Sequence, residues 1–249
     1  MSGTVFLVGA GPGAPDLLTV RAARLLGEAD IVFHDALVHP ETLALAVRAD
    51  KILVGKRCGR HSTAQRFINK RLADAARKYK RVVRLKGGDP MLFGRAHEEI
   101  TYLRQRNIRV EIVPGVTAAL AASADLALSL TRRGSARTVT FVTPRVAHGE
   151  RESSWVAAVL AADTAAIYMG AGEAAEIATA LIAAGKPALT PVALVENASL
   201  PEMTVQYATL QDLPALKARG GPALILLGEV YAQGIRGQGR NYVRAYATK

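Results

Sequence analysis

Short, mostly apolar runs alternate with longer mixed stretches through the first 114 residues. Val5–Val8, Ile31–Phe33 and Ile52–Val54 are apolar throughout, Val82–Leu85 and Val110–Val113 carry one charge each, Arg84 and Glu111, and all five are too short for helices. They predict buried strands. Between them, the stretches from Asp16 or Thr19 to Gly27, Glu41–Ala49, Thr63–Tyr79 and Ala96–Arg106 read as helices. Asp16 or Thr19 is the expected cap of the first. Strands that alternate with helices predict a mainly parallel sheet covered on both faces.

Pro114-Gly115 stops this pattern and is the expected hinge to a second half. There an Ala-rich helix runs from Thr117 to about Ala127. Strands are expected at Thr138–Val142, Ala165–Met169, Val192–Val195, Thr204–Thr209 and Ala223–Leu227. Helices are expected at Trp155–Leu160, Glu173–Ala184 and Leu210–Leu216. The reading is α/β throughout, with domains at 1–114 and 115–233 and a loose Gly-rich tail at 234–249.

Composition narrows the class. Half of the 249 residues are hydrophobic but 5% are aromatic, which favours helices on a sheet over an aromatic-rich sandwich. A single cysteine, Cys58, excludes an intrachain disulfide and a cysteine-built zinc site, and fits a reducing cytosol. The five histidines lack metal-ligand spacing, so no metal is expected. The N-terminus runs directly into a strand without a basic leader. The longest apolar segment, Thr117–Leu130, is too short to span a bilayer and contains Asp125. A cytoplasmic protein without membrane contact is expected.

Charge is unevenly placed. Residues 48–109 hold 18 of the 32 Lys and Arg and 5 of the 21 acids, a net +13 that leaves the rest of the chain at −2. Such a window attracts polyanions, either nucleic acid or a small polycarboxylate or polyphosphate. Only Phe67, Tyr79, Phe93 and Tyr102 lie among these charges, few for stacking on single strands, so nucleic acid is the weaker reading.

Candidate chemistry gathers at expected strand ends, where open α/β sheets collect ligands. In Arg84-Leu-Lys-Gly-Gly-Asp-Pro-Met-Leu-Phe-Gly-Arg95 a strand runs into Gly87 and Gly88, whose bare main chain admits close approach of a ligand. Asp89 and Arg95 add a carboxylate and a planar cation. Gly9-Ala-Gly11-Pro-Gly13-Ala14 fits a dinucleotide fingerprint in form. Pro12, however, removes an N–H where a pyrophosphate wants donors, which leaves a nicotinamide oxidoreductase as a minor alternative. Asp35 and Lys56 follow the second and third strands and could act as acid and base.

These stretches, taken in order, resemble the tetrapyrrole methylases that use S-adenosylmethionine, and within them the uroporphyrinogen-III C-methyltransferase group. The matching segments are residues 8–13, 34–38, 55–57, 84–90, 93–95, 113–118 and 139–143. The resemblance implies two α/β domains, the second with a mixed sheet, a ligand cleft between them, and a homodimer. It implies methyl-donor contacts at Pro12, Gly87, Gly88, Asp89, Leu92, Thr117, Ala118, Met169 and Ala198. Asp35 and Lys56 match proton acceptor and donor positions, and Arg95, Glu98 and Arg133 match substrate-handling ones. The implied reaction is C-methylation of uroporphyrinogen III, twice, to precorrin-2; the rival within the fold is methylation of another precorrin or a peptide. Departures at Ala96-His97, Ser129 with Arg132, and Pro144-Arg145 all fall on the expected substrate side.

Overall fold

In a computed structural model, residues 2–54, 65–146 and 153–237 are described. The chain divides into two compact units, Met1–Thr117 and Ala118–Lys249, so Pro114 and Gly115 belong to the first.

The first unit is a five-stranded sheet of β1 (Thr4–Gly9), β2 (Ile31–His34), β3 (Asp50–Leu53), β4 (Arg81–Lys86) and β5 (Arg109–Val113). All pairings are parallel, in the order β3-β2-β4-β1-β5. Four helices connect them: α1 (Val20–Glu28), α2 (Pro40–Ala44), α3 (Gln65–Ala76) and α4 (Ala96–Arg104). The Thr19 hydroxyl caps α1 by accepting from Ala22 N–H at 3.2 Å, which satisfies a donor that the helix leaves open. The expected helix 41–49 ends earlier. Leu45 and Ala46 bond three residues back, to Thr42 and Leu43, which tightens the last turn and returns the chain toward β3.

Successive side chains of a strand point to opposite faces, and the core divides accordingly. Val5, Leu7, Ile31, Phe33 and Val82 pack with Ile68, Leu72, Ile100 and Leu103 of α3 and α4. Val8, Val32, Val83 and Leu85 pack with Ala22, Leu25 and Leu26 of α1, joined by Leu43 and Ala46. Each leucine fully removed from water contributes about 1.5–3 kcal/mol. The connections through α1 and α2 therefore lie on one face and those through α3 and α4 on the other. Right-handed crossovers demand this when the chain first moves from β1 toward one edge and then back past it. The reversal puts the switch point between β4 and β1, where an open α/β sheet forms its ligand crevice.

The second unit holds β6 (Val139–Val142), β7 (Thr164–Tyr168), β8 (Pro191–Glu196), β9 (Thr204–Thr209) and β10 (Ala223–Gly228), in the order β6-β7-β10-β8-β9. β6 and β7 run parallel and the other pairs antiparallel, a mixed sheet. Its helices are α5 (Ala118–Leu126), α6 (Trp155–Ala161), α7 (Ala174–Ala183) and α8 (Ala232–Arg236). Residues 210–215, expected as a helix, form a 3-10 segment with Pro214 inside it. Residues 234–236, expected in a loose tail, belong to α8 instead, and the chain from 238 lies outside the described residues. No described helix is long and apolar enough to cross a membrane.

Candidate functional site

The tips of β1, β4 and β5 converge at the switch point through bare main chain. Gly11 and Gly88 form an isolated antiparallel bridge, in which Gly88 N–H donates to Gly11 O at 2.7 Å and Gly11 N–H to Gly88 O at 3.2 Å. Ala10 N–H donates to Lys86 O at 2.7 Å. A Cβ on Gly115 would stand 2.3 Å from Gly88 O, and one on Gly9 would stand 2.6 Å from Gly115 Cα, so only glycine permits this approach. Gly11 and Gly88 have φ of +73° and +65°, a region that glycine enters without steric cost. Gly87 beside them is half-buried, and a Cβ there would meet nothing closer than the Leu37 side chain at 3.4 Å. The result is a narrow floor of peptide units with room above Gly87, suited to a flat or thin ligand.

Asp89 braces this floor. Its Oδ2 accepts from Gly115 N–H at 2.9 Å and its Oδ1 from Met91 N–H at 2.8 Å. Each carboxylate oxygen thus already holds a main-chain donor. Leu92 N–H donates to Asp89 O at 3.3 Å, closing the turn after Pro90. Pro12 and Leu92 are half-buried beside the floor, and Thr117 is buried with its Cα 3.9 Å from the Cβ position of Gly88. Pro12, Gly87, Gly88, Asp89, Leu92 and Thr117, expected as donor contacts, all lie around the strand tips of the first unit.

A second group lies at the tips of β2 and β4 and at α4. Asp35 Oδ1 accepts from Arg84 Nη2 at 2.5 Å. Arg84 Nε donates to Glu99 Oε1 at 3.2 Å, and Lys86 Nζ lies 3.2 Å from both Glu99 oxygens. Gln65 Nε2 donates to Glu99 Oε1 at 3.1 Å and to Asn69 Oδ1 at 3.0 Å. The side chain of Glu99 is 0% exposed, that of Arg84 3% and that of Asp35 27%. Burial, reinforced by the neighbouring Arg84 charge, holds the Lys86 ammonium below the ordinary lysine range against the pull of Glu99 and Asp35. Two cations balanced by two carboxylates make the group electroneutral, the condition under which buried charges are tolerable.

Arg84, Lys86 and Glu99 are the residues that the sequence reading left without a role. The signal was present: two basic residues at alternate positions of a strand read as buried demand carboxylates on the facing helix. Part of the +13 window is accordingly spent inside the molecule.

Arg95 enters α4 with φ of 55° and pairs with Glu98 through Nε at 2.6 Å and Nη2 at 2.9 Å. Phe93, at φ 52°, flanks Gly94 on the other side. A Cβ on Gly94 would meet Pro90 O at 2.5 Å and Lys86 Cε at 3.1 Å. The Arg95 loop therefore rests on the same buried cation that Glu99 binds. The Arg95 guanidinium holds the Glu98 carboxyl below its usual range. Lys56 lies outside the described residues.

In the second unit α5 ties two turns together. Ala119 N–H donates to Tyr168 Oη at 3.2 Å, just before Met169, and Ser199 N–H donates to Asp125 Oδ2 at 2.6 Å, just after Ala198. Met169, Asn197 and Ser199 all have positive φ, of 58°, 55° and 72°. Such strained non-glycine residues cluster at functional turns. Ala118, Met169 and Ala198 are thereby brought to one helix. β7 ends at Tyr168, one residue before the expected Met169, because Met169 turns left-handed. Arg133 is exposed in the turn closed by reciprocal Arg132–Ala136 main-chain bonds of 2.8 and 2.9 Å.

Comparison with known proteins agrees with this geometry. A profile of the Tetrapyrrole (Corrin/Porphyrin) Methylases matches residues 4–214. The siroheme synthase of Chromobacterium violaceum is 47% identical over 233 residues, covering 92% of this chain and 50% of its own. That of Nitrosococcus oceani is 45% identical over 235 residues, with the same coverage. The chain spans about half the length of the curated relatives it matches. Among solved structures, the uroporphyrin-III C-methyltransferase of Thermus thermophilus in complex with S-adenosylhomocysteine is 40% identical. It superposes with a TM-score of 0.82 over 93% of this chain and 100% of that one. A cobalt precorrin-4 methyltransferase is 28% identical, with a TM-score of 0.78 over 92% of this chain and 95% of its own.

Proposed function

We infer the activity from one fact: this chain belongs to the tetrapyrrole (corrin/porphyrin) methylases. The reaction we propose is S-adenosylmethionine-dependent C-methylation of uroporphyrinogen III, carried out twice to give precorrin-2. The observation that carries it is the likeness to the Thermus thermophilus enzyme, which extends over the whole of that chain at 40% identity. The lower identity of the precorrin-4 methyltransferase, 28%, favours this acceptor over a later precorrin.

The residues fit a sulfonium donor. Gly9 and Gly115 pack main chain against main chain, and Gly87 and Gly88, where a Cβ would meet nothing closer than 3.4 and 3.9 Å, offer peptide groups to a ligand without side-chain bulk. Pro12, Gly87, Gly88, Asp89, Leu92 and Thr117 would hold the donor from the first unit; Ala118, Met169 and Ala198 of the second carry the same assignment. When bound, the donor supplies an electrophilic methyl group. The pyrrole carbon is already electron-rich, so the chain's task is alignment and proton removal. Asp35, at the mouth of the sheet, takes the one proton that the macrocycle loses as the methyl group is added, and Lys56 keeps the proton-donor assignment that the resemblance gives it. Arg95, oriented by Glu98, and Arg133 receive the carboxylates of the substrate. We place the protein in the cytoplasm, as a homodimer.

Incubation with enzymatically generated uroporphyrinogen III and methyl-labelled donor tests the reading. Label in the macrocycle is expected; an unlabelled macrocycle overturns the acceptor assignment. Calorimetry with S-adenosylhomocysteine tests the donor assignment separately.

A further inference from the structure

The charged group under the sheet mouth does more than satisfy itself. It joins four elements: Gln65 on α3, Glu99 on α4, Arg84 and Lys86 on β4, and Asp35 after β2. Glu99 and Arg84 are sealed from water, whereas Asp35, 27% exposed, and Gln65 are half-buried. Arg84 is the hinge of the arrangement. Its planar fork engages Glu99 through Nε and Asp35 through Nη2, and its Nη1 donates to Leu85 O at 3.1 Å, so the guanidinium has no rotational freedom left. A lysine cannot reproduce this, because its ammonium lacks the rigid fork.

We propose that Arg84 is a positioning residue, which uses buried Glu99 as an anchor to fix one oxygen of Asp35 and leave the other for the departing proton. The proposal deepens the reading of Asp35 as proton acceptor and rests on it. Arg84 is itself out of reach of any bound molecule. It therefore acts on turnover through Asp35 and leaves binding of donor and acceptor alone. Lys86 completes the anchor by neutralising the second charge that Glu99 and Asp35 bring.

The experiment is a double-mutant cycle on the full chain with uroporphyrinogen III as acceptor. Asp35→Asn is expected to lower kcat on the order of 10²-fold or more, the usual share of a general base. Arg84→Lys keeps the buried positive charge and hence the fold, but misplaces Asp35; it is expected to lower kcat by about 10-fold or more, since ~1 Å errors in placement reach 10²-fold. KM for the tetrapyrrole and affinity for S-adenosylhomocysteine should stay at wild-type values in both. The Arg84→Lys/Asp35→Asn variant should be no slower than Asp35→Asn alone, because both act on one group. Wild-type kcat in Arg84→Lys, or effects that multiply in the double variant, would overturn the proposal while Asp35 keeps its role. Undiminished kcat in Asp35→Asn would overturn the acceptor reading, and this proposal with it.

Discussion

The carboxylate of Asp89 bridges two strand tips: it accepts from the N–H of Gly115, beyond β5, while its other oxygen holds Met91 in its own loop. Hydrogen bonds to a charged group contribute about 1.5–3 kcal/mol each. Asp89→Ala is therefore expected to cost about 2–3 kcal/mol of stability and to weaken S-adenosylhomocysteine binding by about tenfold or more, a change of ~1.4 kcal/mol. Calorimetry and thermal denaturation on the same preparation check both.

The packing of Gly9, Gly88 and Gly115 makes a sharper prediction. Gly115→Ala drives a methyl group to 2.3 Å from Gly88 O, which is main chain and cannot swing aside. Overpacking of this kind costs about 1–3 kcal/mol and often more. A fall in Tm together with loss of S-adenosylhomocysteine affinity is expected. Gly172→Ala meets nothing within 4 Å and should change stability by less than about 0.5 kcal/mol. Equal effects in the two variants would show that the close approach is unimportant.

Asp125 is buried on α5 and accepts from Ser199 N–H at 2.6 Å. Its removal leaves a strained turn, with Asn197 and Ser199 both at positive φ, without the bond that holds it. Asp125→Ala is expected to lose about 1–3 kcal/mol and to weaken S-adenosylhomocysteine binding through Ala198. Asp125→Asn retains an acceptor and should recover most of both.

Acid sensitivity follows from Asp163. Its Oδ2 accepts from the main-chain N–H groups of Arg137 and Thr138 at 2.8 and 2.9 Å and from the Thr138 hydroxyl at 2.8 Å. The two main-chain donors, then the hydroxyl, hold its carboxyl below the ordinary 3.8. A depressed carboxyl stabilises fully above its unfolded value and loses that contribution as the pH falls through the folded one. Asp163→Asn should thus lower Tm at neutral pH, and the gap to wild type should close as the pH is taken down through the carboxylate range. A gap that persists unchanged in acid would refute the charge-assisted account.

Most strands were legible because they are short, mostly apolar and bounded, as buried sheets favour. Val82–Leu85 and Ala223–Leu227 lie within one residue of β4 and β10 at either end. What failed depended on contacts distant in sequence. Helix 41–49 shortens because the chain must return to β3, and residues 210–215 tighten into a 3-10 segment around Pro214. Glu98 and Glu99 look alike in the sequence. Only the seating of α4 on β4 turns Glu99 inward to Arg84 and Lys86 and leaves Glu98 outside with Arg95. The glycine floor was visible as bare turns, but the use of Asp89 as an internal brace was not.

The reversal of strand order between β4 and β1 has a kinetic corollary. Both are interior strands, and the amides of Ala10 and Gly88 just beyond their tips are held by main-chain bonds to Lys86 O and Gly11 O. Their protons should trade with deuterium at the rate of global opening, orders of magnitude slower than those of exposed turns. On the proposed reading, a donor platform built on such amides would keep its grip through every lesser fluctuation and leave adaptation to new acceptors to the rim.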